Sequence, residues 1–319
     1  MLDRHRIEHF PIAFFAMIMG LSGLSLAWQK AAEVLHTPAV VGTFLVLATA
    51  ALFILLATLY LTKLVRFPAA VKAELQHPVK MSFFPAISIS LVLLGTALRG
   101  LSPDLAYGLW AVGAFAHLLV TLYIVTQWMH QAHFEISHIN PTWFIPAVGN
   151  ILVPIAGVGF GHTELSWFFF SIGILFWVVL LTIVFYRVFF HTPLPGRLLP
   201  TLFIMIAPPA AGFVAYIQLA GGLDGFGRIL VNIGLFLTLL LLVQVRRFAA
   251  LQFFLSFWAY SFPMAAMTIA TLIHHELTGS QRSLWLGGIL LGVTTVLIGW
   301  LIGLTMRAAA RDQICQPEG

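Results

Sequence analysis

Twelve histidines and eleven acidic residues are the groups in this 319-residue chain that can bind metal or move protons. They gather in few places. His130, His133 and His138 lie near Glu135, His274 and His275 adjoin Glu276, and His117 stands alone in an apolar run. A structural or catalytic zinc needs three or four such ligands converging on one point. Neither cluster has a recognised ligand spacing. His275-Glu276 is followed by Leu277-Thr278-Gly279-Ser280, so the His-Glu-x-x-His of a helical metalloprotease is absent. Both clusters read as solvated, interfacial histidines, and His117 reads as a structural hydrogen bond between helices rather than a proton relay. The single cysteine, Cys315, excludes an internal disulfide and a cysteine-based metal site. There is no Gly-x4-Gly-Lys-Ser/Thr, and the Gly221–Gly227 stretch follows no strand, so no nucleotide loop is expected. The expectation is a protein that is not an enzyme and has no metal and no cofactor.

These groups sit between very apolar runs. Sixty per cent of the residues are hydrophobic, 8% are charged and the mean hydropathy is +0.98. A soluble domain carries about 25% charged residues, so lipid must be the solvent for much of this surface. The net charge of +5 lies in loops, which points to membrane topology rather than to nucleic acid. A bilayer span needs roughly 20 apolar residues. Ten candidates run approximately 10–28, 39–62, 82–98, 105–128, 143–161, 165–186, 199–220, 227–245, 253–273 and 284–306. Residues 1–319 therefore read as a single all-α integral membrane domain. The third span, ending at Arg99, is the shortest. The first is long enough to be retained rather than cleaved as a signal peptide. Trp110, Trp128, Trp167 and Trp300, all in even spans, read as belt or lipid-facing residues.

Two patterns order the spans. With the N-terminus inside, twelve of the sixteen Lys and Arg fall on the inner side, and only Lys30, Arg99, Arg228 and Arg282 fall outside. Lys and Arg favour cytoplasmic loops, so both termini are expected in the cytoplasm. The prolines alternate as well. Odd spans hold Pro11, Pro85, Pro146, Pro154, Pro200, Pro208, Pro209 and Pro263; even spans hold none. A proline kinks a helix and frees a carbonyl, which hydrocarbon cannot satisfy. The odd spans should therefore form an inner ring and the even spans a lipid-facing outer one. Small and hydroxyl residues on odd spans (Gly20, Gly23, Ser88, Asn150) agree, as do bulky runs such as Trp167-Phe168-Phe169-Phe170 on even ones. The result is five hairpins, each one kinked inner helix plus one straight outer helix. Phe-Pro recurs at 10–11, 84–85 and 262–263, the mark of a parallel internal repeat.

No Asp, Glu, Lys or Arg lies deep in an apolar run. Intramembrane carboxylates mark proton or sodium coupling, so their absence favours a passive, neutral conduit over a pump. The alternative is a proton-coupled carrier of C4-dicarboxylates or of oxyanions such as sulfite and tellurite. Candidate pore-lining or kink residues are Pro263, Pro208, Pro154, Pro146 and Pro85, with Phe14, Ser88 and Asn150, all on odd spans. From the residues alone, Phe262 beside Pro263 is compatible with plain core packing.

Ten spans, prolines on alternate spans and Ser-Phe-Pro-Met-Ala at 261–265 resemble the tellurite-resistance/dicarboxylate transporter family, whose plant members are the slow anion channels of guard cells. That resemblance covers essentially the whole chain. It implies a gated anion channel of a bacterial inner membrane, associated with tellurite resistance. It also implies quasi-five-fold hairpins, a homotrimer with one pore per protomer, and a phenylalanine gate at Phe262. Plant members carry long cytoplasmic tails. With about nine residues before the first span and a dozen or so after the last, kinase control through tails is not expected here.

Overall fold

The computed structural model describes residues 4–130 and 134–316; His133 of the first histidine cluster lies outside them. Numbered in chain order, the α-helices within the expected spans are α1 (Phe15–Val34), α2 (Ala39–Arg66), α3 (Pro85–Leu98), α4 (Pro103–His130), α5 (Phe144–Val148), α6 (Val153–Gly157), α7 (Thr163–Phe190), α8 (Ala207–Ala220), α9 (Gly225–Leu242), α10 (Ser261–Thr278) and α11 (Gln281–Ala310). Among the described residues there is no strand, and nine helical segments are long and apolar enough to cross a membrane.

The even spans are single uninterrupted helices, α2, α4, α7, α9 and α11, of 18 to 30 residues. The odd spans are composite. Each begins with a 3-10 segment: Ile12–Phe14, Lys80–Phe83, Pro141–Trp143, Leu199–Ile206 and Leu255–Tyr260. Four of them then become α-helical for the rest of their length, as α1, α3, α8 and α10. The prolines explain the join. Pro85, Pro208 and Pro263 lie within the first three residues of α3, α8 and α10. There a missing N–H takes nothing from the helix, and the fixed φ suits it. The expected kinks are thus changes of helix type, from about 2.0 to about 1.5 Å rise per residue. Pro103 opens α4 and Pro38 precedes α2, so prolines border even spans too, again where an unbroken helix tolerates them.

The fifth span departs most from expectation. Pro141–Gly157 alternates 3-10 and α turns and is too short to count as a long span. Pro146, Gly149 and Pro154 interrupt it every few residues, and no stretch between them completes two α-turns. The third span, the shortest expected from sequence, is long and apolar enough to cross a membrane as Lys80–Leu98.

Burial separates the layers without overlap. The four long odd spans are 67–83% buried inside the protein, the five even ones 22–39%. The odd spans are the inner layer. Trp110 does not belong to a lipid belt: it is 2% exposed, and its indole N–H donates to Val153 O at 2.9 Å, tying α4 to α6. Trp300 is half exposed, as expected of a lipid-facing ring. Close approach of α1 and α10 depends on Gly20, where a β-carbon would overlap Ser261 Oγ. At the opposite margin Asp224 caps α9; the Gly227 amide, at 2.9 Å, holds its carboxyl below the usual range.

Candidate functional site

Three cavities lie in series along the inner layer, the two end ones reaching outer helices at Thr43 and Ala308. The middle one, about 70 Å³, is lined by all five inner segments and by no outer helix: Ala16, Ile89, Leu152, Pro208 and Phe262 represent the five. Its lining holds one hydroxyl, Ser256, whose Oγ donates to Arg197 O at 2.5 Å. On the side of the chain termini it adjoins a cavity of about 460 Å³, the two sharing Phe83, Leu255 and Ser256. On the other side it adjoins one of about 650 Å³, the two sharing only Ala211 and Phe262. The path is therefore wide at both ends and pinched at an apolar centre, with the Phe262 ring in one partition.

Local structure fixes that ring. Phe262 is the second residue of α10, just past the 3-10 join, and is 8% exposed. It faces Gly23 of α1, where a β-carbon would sit 3.1 Å from Phe262 Cδ2. The absent side chain leaves the space that the ring occupies.

Of the residues marked from sequence, Phe262, Pro263 and Pro208 line the middle cavity. Pro85, Pro146, Pro154, Phe14, Ser88 and Asn150 are buried but line none of the three. Ser88, Pro146 and Asn150 instead join the layers. Ser88 Oγ donates to Pro85 O at 2.8 Å and meets His117 Nδ1 at 3.0 Å. Asn150 Nδ2 donates to Ala147 O at 2.8 Å and to Thr121 Oγ1 at 3.1 Å, and Thr121 in turn donates to Pro146 O at 2.7 Å. Phe14 stacks on Phe10 with ring centroids 4.7 Å apart. His117 is thus an interhelical hydrogen-bond partner on α4, as its lone position suggested. The three Phe-Pro pairs are not equivalent either, since Phe84 packs edge-on against Tyr60 and Phe262 alone reaches the axis.

Sequence reading missed Phe83, Ile89, Ala211 and Ser256 as lining residues; each looks like ordinary core in the sequence. It also missed a buried ion pair at the termini-side end. Lys63 Nζ lies 2.9 Å from Glu74 Oε2, with the two side chains 2% and 9% exposed. Tyr60 donates to the same carboxylate oxygen at 2.9 Å, and Lys63 donates to Phe10 O, also at 2.9 Å. The ammonium thereby satisfies the carbonyl preceding Pro11 and pins α2 to the entry of the first inner segment. Cys315 is half-buried at the same end, and burial pushes its thiol up. Among the described residues no three His, Cys, Asp or Glu side chains converge as a metal site. His274 Nδ1 pairs with Ser283 Oγ at 2.8 Å and His275 Nδ1 with Ser280 O at 3.0 Å, closing the α10–α11 turn.

A family model described as SLAC1, voltage-dependent anion channel, matches residues 9–306. The S-type anion channel SLAH3 of Arabidopsis thaliana is 30% identical over 304 residues, which are 93% of this chain and 48% of that protein. The guard cell S-type anion channel SLAC1 of the same plant is 26% identical over 299 residues, 91% of this chain and 54% of its own length. The tellurite resistance protein TehA homolog of Haemophilus influenzae is 26% identical over 314 residues, 95% and 92% of the two chains. The chain thus spans about half the length of these plant relatives and nearly all of the bacterial one.

Proposed function

The chain belongs to the SLAC1 family of voltage-dependent anion channels, a membership that agrees with the resemblance read from its sequence, and we propose that it is itself a gated channel for small anions. Anions pass along the axis of the five inner segments, and Phe262 occludes the path. One observation carries this reading: Phe262 lines both the middle cavity and the large one beyond it. A bulky apolar ring in a narrow apolar channel blocks ions sterically and by excluding water. With the ring withdrawn, the lining offers neutral backbone and apolar side chains, where an anion binds weakly enough to leave.

The same reading covers the setting. The chain is a multi-pass protein of a bacterial inner membrane with both termini in the cytoplasm, supported by the twelve-to-four division of Lys and Arg. It assembles as a homotrimer with one path per protomer, as the family resemblance implies, and it takes part in tellurite resistance. No carboxylate lines the middle cavity among the described residues, so a proton-coupled dicarboxylate or oxyanion carrier lacks its usual group there. The test is the reversal potential of Phe262→Ala protein in planar bilayers under crossed anion and pH gradients. A channel reverses at the anion's equilibrium potential whatever the pH. A reversal potential that moves with the proton gradient would replace the channel with a coupled carrier.

A further inference from the structure

The large cavity away from the termini contains an uneven set of charges. Lys30, Glu33 and Arg99 line it. Lys30 Nζ lies 2.8 Å from Glu33 Oε2 and 2.6 Å from Glu276 Oε2, a cluster of net −1, so Lys30 has no positive charge left to offer an anion. Arg99 forms no ion pair and no hydrogen bond among the described residues. It follows the last residue of α3, on the short Arg99–Leu101 turn that forms part of the cavity wall. A glycine behind it leaves room for its side chain. The guanidinium rests over Gly159, where a β-carbon would overlap Arg99 Nη1. A bare stretch of backbone between α6 and α7 is thus the seat of the one cation lining this cavity that has no carboxylate partner among the described residues.

We infer that Arg99 is an anion-capture residue. It holds small inorganic anions of the chloride or nitrate kind loosely in the vestibule before they reach the Phe262 constriction. This rests on the reading of the axis as an anion path. Guanidinium suits the task because it cannot lose its charge and presents several N–H donors in one plane. The Gln218 amide on the same wall, also without a hydrogen-bond partner among the described residues, supplies a neutral donor. A unit charge about 4 Å away in a water-like medium raises local anion concentration about fivefold. Salt weakens that attraction over a Debye length of about 8 Å at 0.15 M. The effect is one-sided: Arg99 favours entry from its own vestibule and has much less influence on entry from the other.

The competing view is that Arg99 only completes the C-terminus of α3, where any cation is favourable. Two measurements separate the two. The first compares currents of Phe262→Ala protein with and without Arg99→Gln in planar bilayers. Expected at low salt is a loss of about two- to fivefold in anion current entering from the Arg99 side, little change in the opposite direction, convergence near 1 M salt, and recovery with Arg99→Lys. Equal loss in both directions, or a loss that salt does not erase, overturns the inference. The second is the ³⁵Cl line width of purified protein in chloride, which reads weak binding without any conduction. Excess broadening should fall in Arg99→Gln and persist in Arg99→Lys; broadening unchanged by Arg99→Gln overturns the inference. If Phe262→Ala carries no current at all, the gate reading fails, while the line width still decides for or against Arg99.

Discussion

The inner and outer layers are both built from apolar sequence, the outer the more so, yet they solve different problems. An outer helix such as α2 meets hydrocarbon along most of its length, being 22% buried. It must satisfy every peptide group internally, so it is one unbroken α-helix. An inner segment such as Leu255–Thr278, 83% buried, meets protein or cavity on all sides. It can change helix type because neighbours supply what its backbone lacks. Lys63 does so for the Phe10 carbonyl and Thr121 for that of Pro146. Irregular backbone is thus confined to where partners exist, and the conduit is the by-product of that confinement.

Substitutions test the division. The largest effect on stability is expected at the Lys63–Glu74 pair, which couples the layers. Lys63→Met leaves a buried carboxylate unpaired and should cost ~3–5 kcal/mol, whereas replacing both residues by apolar ones should restore most of it. Denaturant unfolding in detergent reads the difference; a double variant as unstable as the single one would mean the pair itself drives folding there. Next comes packing. A side chain at Gly20 collides with Ser261, so Gly20→Val should cost ~1–3 kcal/mol. The same change at Gly292 on α11, where a β-carbon meets nothing within 4 Å, should be nearly silent. Thermal shift of the two variants side by side checks this, and equal shifts would erase the distinction between layers. Smallest is the polar glue. Ser88→Ala removes the contact with His117 with little change of volume and should cost ~0.6 kcal/mol and no more than ~1.7, and His117→Ala should leave the pH dependence of current unchanged. A current whose pH profile moves with His117 would turn a structural residue into a functional one.

Much of this division was legible in the sequence. Prolines on alternate spans marked the inner layer because proline inside a lipid-facing helix frees a carbonyl that hydrocarbon cannot satisfy. Alternating charge marked which loops share a side. What stayed hidden was azimuth. Inner segments are apolar all round, so nothing in the sequence says whether a hydroxyl points to the axis or to the outer helix. Ser88 and Asn150 turned outward to His117 and Thr121, while Ala211 and Ile89 turned inward. The Lys63–Glu74 pair was hidden for another reason: each residue sits at an element's end, where solvated charge is the rule, and only tertiary packing buries them. The broken fifth span was half visible, since its prolines were counted but not their spacing, which is too tight for α-helix between them.

The most direct measurement is anion current through three proteins at matched density in one membrane: the parent, Phe262→Ala, and Phe115→Ala, a control on α4 whose ring is 65% exposed on the outer layer. With chloride or nitrate as charge carrier, Phe262→Ala should conduct about tenfold more than the parent or better, equivalent to ~1.4 kcal/mol or more off the barrier, and Phe115→Ala should match the parent. Folded, membrane-inserted Phe262→Ala protein with parental current, or the same rise in both variants, would contradict a path along the inner axis closed by this ring.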